Sequence, residues 1–340
     1  MSLRAEIIDK KNLLRSLTPG RLWNALRLHA GYYFGTLTKK PVTWGLPVSM
    51  SIEPTTSCNL RCPECPSGLR KFSRDTGMLS FEFYRNFIEE AERHLIYLTL
   101  YFQGEPFLNP SFFDIVEDAT RRRIYTATST NAHFLTPENA RKVVKSGLKR
   151  LIISLDGIGQ EIYARYRVGG RYERVIQGIE NLLAARKEQK AHSPMIILQF
   201  IVFRTNQQQI PEVRRLARKL GVDKLELKSA QVYDYEDGHP LIPTIDRYSR
   251  YRKREDGKWE IKNDFKNKCY RMSVSCVMTW DGWVVPCCFD KDAEYRMGSL
   301  KQNPMEKIWK GEPYRNFRKR ILTSRKSIDI CRNCTEGMKL

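Results

Sequence analysis

The 340-residue sequence has no stretch of eighteen uninterrupted apolar residues, which excludes a conventional membrane-spanning helix. Its N-terminus lacks a compact apolar segment followed by a small-residue cleavage site, which argues against export. Its five histidines are scattered, with neither H-x3-H nor H-E-x2-H spacing, so a histidine metal site is not expected. No internal repeat or low-complexity tract occurs, and no RNA-recognition or zinc-finger spacing accompanies the basic residues. Acidic residues are in deficit, 38 Asp+Glu against 59 Lys+Arg, for a net charge of +21. That excess implies an acidic partner without choosing among nucleic acid, an anionic membrane surface and a phosphorylated substrate. The local runs at 250–254 and 315–320 read as solvated basic surface.

What is present describes a globular protein. A hydrophobic content of 41% with 11% aromatics can bury a sizeable core, and the length predicts one large and one small domain. The nine cysteines are an odd number. In an unexported chain they read as metal ligands rather than disulfides, because cytosolic thiols stay reduced.

Three of them fall within eight residues, Cys58-Asn-Leu-Arg-Cys62-Pro-Glu-Cys65, just after the strand-like run 47–52. Thiolates this close converge on one centre. Zinc would need a fourth ligand, and the nearest histidines in sequence are His29 and His94. A four-iron cluster held by three sulfurs keeps one iron open for a substrate or cofactor.

Around this motif strands and helices alternate from 45 to about 228. Strands are expected at 48–52, 97–102, 126–130, 150–154, 195–202 and 224–227. Helices are expected at 80–93, 111–123, 136–146, 174–190 and 208–220, with Ser80 and Thr136 as caps and Gly147 and Gly221 as stops. Six βα units imply a parallel sheet with right-handed crossovers, too few to close an eight-stranded barrel. An open, three-quarter barrel is the expectation, with ligands at the carboxyl ends of its strands. Before it, residues 1–44 form a basic leader. Thr18-Pro19 starts a helix with an apolar stripe at Leu22, Trp23, Leu26, Ala30, Tyr33, Phe34 and Leu37. Arg21, Arg27, Lys39 and Lys40 lie off or beyond that stripe. Docking of this helix on the following domain is the expected use, with an anionic membrane as the alternative. Residues 229–268 read as a polar linker, and 269–340 as a second cysteine-rich domain.

Strand, then C-x3-C-x2-C in a loop, resembles the radical S-adenosylmethionine (radical SAM) family. A second signature agrees: the strand at 97–102 ends in Gln103-Gly104-Glu105-Pro106, where the family has a G-G-E-P-like segment. The resemblance implies that this segment offers acceptors to the methionine amino group, with Gln103 in place of the first glycine. Thr130-Asn131-Ala132 stands where the family often has Thr-Asn-Gly, and Ser154 and Asp156 end the fourth strand near the expected ribose or substrate. Each of these is equally compatible with a strand-end turn residue. Glu64 replaces a commonly aromatic residue, which removes ring stacking on adenine and leaves backbone contacts. The implied fold is α/β, a partial (βα)6 TIM-like barrel with a small C-terminal cysteine-rich α+β domain.

That C-terminal region holds Cys269, Cys276, Cys287, Cys288, Cys331 and Cys334. It resembles the SPASM/Twitch auxiliary-cluster domain, in the shorter form with one extra cluster. Cys269, Gly282 and Cys287 match the family's opening pattern, which implies Cys269, Cys287, Cys331 and Cys334 as ligands, with Cys276 and Cys288 spare. A structural zinc on four cysteines is the alternative. Geometry argues differently for the first ligand: a two-residue Asp281-Gly282 turn would set Cys276 opposite Cys287, roughly 5 Å away. The implied cofactors are a SAM-binding [4Fe–4S] cluster on Cys58, Cys62 and Cys65, an auxiliary [4Fe–4S] cluster, and SAM. The implied partner is a one-electron donor such as flavodoxin or ferredoxin. No further catalytic side chain is assigned. The implied activity is oxidation of an alcohol, amine or similar carbon of a small molecule or sugar. Modification of a peptide, a lipid-linked substrate or tRNA is the alternative, and a non-catalytic metal-binding protein the reading from another class. Against a peptide, residues 1–44 are too short for a winged-helix recognition domain.

Overall fold

The computed structural model describes residues 3–336. Two helices open the chain, α1 (Leu3–Leu14) and α2 (Pro19–Thr38). The alternating region follows: β1 (Ser49–Ile52), a short α3 (Pro66–Leu69), α4 (Phe81–Ala91), β2 (Tyr97–Thr99), α5 (Phe112–Arg121), β3 (Tyr125–Thr130), α6 (Pro137–Lys145) and β4 (Arg150–Ser154). It continues through α7 (Gln160–Tyr166), α8 (Tyr172–Glu188), β5 (Met195–Val202), α9 (Ile210–Leu220) and β6 (Lys224–Ser229). The expected caps are in place: Thr18, Ser80 and Thr136 each accept a backbone N–H three residues on, and Gly221 ends α9 in the left-handed conformation.

Strands β1 to β6 pair in parallel and in order, with the helices packed on the outer face. Met50, Ile52, Leu98, Leu100, Leu151, Ile153, Leu198 and Phe200 alternate along the strands into one core beneath them. The segment read as a linker is folded. Strands β7 (Tyr251–Lys253) and β8 (Trp259–Ile261) pair as a hairpin, and Val232, Ile242, Tyr251 and Ile261 form a small core of their own.

The cysteine-rich end supplies α10 (Tyr270–Val274), β9 (Ser275–Met278), β10 (Trp283–Val285), β11 (Gly298–Ser299), α11 (Met305–Lys310), α12 (Glu312–Ser324) and α13 (Asp329–Arg332). Strand β9 pairs in parallel with β1, so the order among the described residues is β11-β10-β9-β1-β2-β3-β4-β5-β6. The C-terminal hairpin thus covers the β1 edge that an open barrel would leave unpaired.

The leader is two helices rather than one. Helix α1 sits at the amino ends of the strands, where the Asp9 carboxylate accepts from Tyr125 and pairs with Arg150. Helix α2 docks, but by the face opposite the expected one. Leu28, Gly31 and Gly35 are buried, whereas every residue of the apolar stripe is exposed. The small-residue face admits the following chain closely, and Asn24 exchanges two hydrogen bonds with Leu46, 2.9 and 2.8 Å. Arg21, only 4% exposed, clamps the helix to the barrel by donating to the carbonyls of Ser16, Glu92, Arg122 and Arg123 at 2.7–2.8 Å.

The basic runs are not wholly solvated either. Arg250 and Arg318 are buried. Arg318 donates to Trp309 O at 2.7 Å and stacks over the Trp309 and Tyr314 rings. Arg21→Ala would orphan four carbonyls and should cost about 3 kcal/mol or more. A melting curve of the variant, several degrees below the parent, is the check; Arg21→Lys, lacking the planar fork, should recover only part.

Candidate functional site

The first cysteine set lies just past the carboxyl end of β1. Cys58, Cys62 and Cys65 gather with Leu60, Tyr166, Phe203 and Ala230 in one apolar cluster. Burial pushes the Cys58 thiol up to about 12, and burial likewise raises Cys62. Each also feels its neighbouring thiols, which places the three within electrostatic reach of one another.

The Gly104-Glu105 turn packs directly on the loop leading into these cysteines. Gly104 has φ +73°, and a Cβ there would stand 2.3 Å from Thr55 O, so glycine is required. Its N–H donates to Ser67 Oγ at 2.8 Å, and the Glu105 N–H donates to Ser57 O at 2.8 Å. Gln103 and Pro106 are buried beside them. The Glu105 carboxylate faces inward: it accepts from Thr130 Oγ1 at 2.7 Å and the Asn131 N–H at 2.8 Å. It thereby ties the ends of β2 and β3 together. Asn131 in turn donates to Asn59 Oδ1 at 2.8 Å, on the cysteine loop.

Ser154 is buried at the end of β4. Asp156 accepts from the Ile201 N–H at 2.8 Å and pairs with Arg167 at 2.5 Å. Arg167 was not singled out from the sequence, where it is one basic residue among 59. It donates to Cys62 Sγ at 3.8 Å, and its charge is the largest influence opposing burial on that thiol. Glu64 reaches the 229–268 segment: it accepts from the Tyr233 N–H at 3.0 Å and faces His239 at 3.5 Å.

The second set is built where α10, the β9–β10 hairpin and α13 meet. Burial pushes Cys269 up to about 11 and Cys331 up to about 12, and Cys269, Cys331 and Cys334 lie within electrostatic reach of one another. Cys287 lies within reach of Cys269. Arg325, also unmarked in the sequence, donates to Cys334 Sγ at 3.3 Å and faces Cys269 and Cys331. Cys288 packs against the small cluster of Val277, Val285 and Ala293 and accepts from Arg271 at 3.3 Å. The bond from Cys287, and then Arg271, draws the Cys288 thiol down to about 6.

Cys276 faces Tyr314 and Arg318 rather than Arg325, though it lines a cavity together with Cys287 and Cys288. The hairpin explains why. Val284 pairs with Met278 and Val285 with Val277, and Thr279 N–H donates to Trp283 O, so the loop is the three residues Trp280-Asp281-Gly282. Gly282, at φ +92°, is its left-handed residue. One extra loop residue slips the register by one, so the ladder runs on to set Cys276 opposite Pro286 rather than Cys287.

Among the described residues, no three Cys, His, Asp or Glu side chains converge on a single metal position. The donor chemistry nonetheless suits iron–sulfur groups. Buried soft thiols stand beside a guanidinium in both sets, and the buried Arg325 Nε has no partner among the described residues.

Two outcomes test this arrangement. Cys276→Ser should leave iron content unchanged, whereas Cys269→Ser should lose the auxiliary iron; the reverse pattern overturns the placement. In the iron-free protein, burial raises the Glu105 carboxyl to about 7 from 4.5. Its contribution to stability is therefore full below the ordinary carboxylate range and falls as pH rises toward 7. Glu105→Gln should flatten that fall in denaturation midpoints measured across this pH range.

Known protein families match the two regions that contain these cysteines. Residues 52–217 match the radical SAM superfamily, and residues 269–335 match the SPASM iron-sulfur cluster-binding domain. The tungsten-containing aldehyde ferredoxin oxidoreductase cofactor-modifying protein of Pyrococcus furiosus is 26% identical over 316 residues, 84% of this chain and 86% of that one. Mycofactocin maturase MftC of Mycobacterium tuberculosis is 30% identical over 175 residues, 52% of this chain but only 43% of its own length. Among solved structures, Streptococcus suis SuiB bound to S-adenosylmethionine aligns with TM-score 0.63 at 13% identity, over 88% of this chain and 74% of that one. BtrN in complex with AdoMet and 2-DOIA aligns with TM-score 0.55 at 19% identity, over 86% and 94%. These structures share the fold. The chain carries a radical SAM domain and, C-terminal to it, a SPASM domain, so its cofactors are a [4Fe–4S] cluster, S-adenosylmethionine and auxiliary iron–sulfur.

Proposed function

We propose that this protein is a radical SAM oxidoreductase acting on a small, polar molecule such as a sugar or cyclitol. The observation that carries the reading is the pair of separate buried cysteine sets, one at each end of the adjacent strands β1 and β9. Cys58, Cys62 and Cys65 would hold the SAM-binding cluster, and Cys269, Cys287, Cys331 and Cys334 the single auxiliary one. The chemistry these groups supply when bound is reductive cleavage of SAM to a hydrogen-abstracting 5′-deoxyadenosyl radical and uptake of one electron from the substrate radical.

The chain's own residues position and shield. Gln103, Gly104, Glu105 and Pro106 set the turn on which the methionine end of SAM would rest, with Asn131, Ser154 and Asp156 along the neighbouring strand ends. Arg167 holds positive charge against Cys62. A cavity of about 400 Å3 opens beside Cys287 and Cys288, lined by the hydroxyls of Ser49, Ser51, Thr99 and Ser275 and by Arg271. Its size and polarity suit a hydroxylated small molecule. A peptide substrate is the second reading, favoured by the name of one relative, the PqqA peptide cyclase of Gluconobacter oxydans, 24% identical over 80% of this chain. The electron donor is external, of the flavodoxin or ferredoxin kind. Among the described residues no helix is long and apolar enough to cross a membrane. We place the protein in the cytoplasm.

Anaerobically reconstituted protein should hold about eight irons, and Cys58/Cys62/Cys65→Ala about four. Iron falling to zero in that variant while zinc appears would make the C-terminal site a zinc site. With dithionite the parent should cleave SAM slowly without substrate, and the single Ala variants of Cys58, Cys62 and Cys65 should not. Transfer of deuterium from a labelled sugar or cyclitol into 5′-deoxyadenosine identifies the substrate class; transfer only from a labelled peptide would replace the first reading with the second.

A further inference from the structure

Helix α2 presents two faces of opposite use. The docked face is spent on Arg21, Leu28, Gly31 and Gly35. On the other side Leu22, Trp23, Leu26, Tyr33, Phe34 and Leu37 all point to solvent, with Trp23 64% and Leu37 84% exposed. At 3.6 residues per turn they occupy one arc of about 120°. Large apolar side chains exposed along about four turns of helix are not ordinary surface; a contiguous patch of this kind marks a contact site.

The surrounding charge says which kind. No Asp or Glu occurs between Asp9 and Glu53, while Lys10, Lys11, Arg15, Arg27, Lys39 and Lys40 do, and all six are exposed. An apolar arc carrying Trp, Tyr, Phe and Leu, flanked by cations and with Glu306 near Arg27 and Glu336 near Tyr32 as neighbouring carboxylates, complements a bilayer surface. The rings and aliphatic chains enter the boundary of headgroups and acyl chains, and the cations meet anionic headgroups. The helix is already folded and clamped by Arg21, so binding would not have to order it. It packs against α10 through Tyr270, whose hydroxyl lies 2.6 Å from His29 Nε2. Tyr270 follows Cys269, so a docked α2 would hold the auxiliary site beside the membrane.

We infer that the exposed face of α2 seats the protein on an anionic lipid bilayer. The inference does not depend on the substrate or redox reading above, because binding is measured without turnover. Full-length, cluster-loaded protein is floated with phosphatidylcholine vesicles, with and without phosphatidylglycerol. Binding should require phosphatidylglycerol and weaken as salt is added. Trp23→Ser/Leu26→Ser/Leu37→Ser should lower the partition coefficient at least about tenfold. Iron content and uncoupled SAM cleavage should stay at the parent's level, which shows that the variant is folded. Arg27→Ser/Lys39→Ser/Lys40→Ser should remove most of the salt dependence. Three results overturn the inference: no binding to phosphatidylglycerol vesicles, full binding by the apolar-face variant, or light scattering that gives a dimer which this variant dissociates. The last would make a second copy of the chain the occupant of the face.

Discussion

The parallel pairing of β1 with β9 is the contact on which the site depends. It joins residues 49–52 to 275–278 and makes one sheet of what the sequence separates into a barrel and a cysteine-rich tail. Cys58 follows the carboxyl end of β1 by a short loop, whereas Cys269 precedes the amino end of β9. The two cysteine sets are therefore held apart by a four-residue strand, about 13 Å long at 3.3 Å per residue.

Both sets share an electrostatic device. Burial alone opposes the thiolate form that metal binding needs, as the raised Cys58, Cys269 and Cys331 thiols illustrate. Arg167 stands against Cys62, and Arg325 against Cys334, each a delocalised cation with further donors committed to the protein. Arg167 is fixed by Asp156, and Arg325 by the carbonyls of Lys268 and Glu336. A flexible lysine would supply the charge without the fixed placement.

Much of this was legible in the sequence because it is local. Strand alternation, the Ser80 and Thr136 caps and the Gly221 stop each depend on residues a few positions apart, and so does C-x3-C-x2-C. What escaped reading depends on distant partners. Arg318 reads as solvated charge and Arg167 and Arg325 carry no mark in the sequence, yet Arg318 and Arg325 are buried and Arg167 is half-buried because carbonyls, carboxylates or rings from elsewhere surround them. The apolar stripe of α2 implied burial, but Gly31 and Gly35 on the reverse side let the chain approach more closely there. The Asp281-Gly282 signal did mark a hairpin. Its loop holds three residues rather than two, and that single residue sets Cys276 opposite Pro286 rather than Cys287.

The β1–β9 ladder also has a cost in time. Ser49 must wait for Ser275, 226 positions later, before its free edge is covered. At ribosomal rates of 5–20 residues per second that wait is about 10 to 45 s. Throughout it, a nascent barrel exposes an unpaired strand edge next to three free thiols. Production of intact protein should therefore be limited less by final stability than by what guards that edge during synthesis, which makes slow, cool, chaperone-rich and oxygen-poor expression the physical match to this topology.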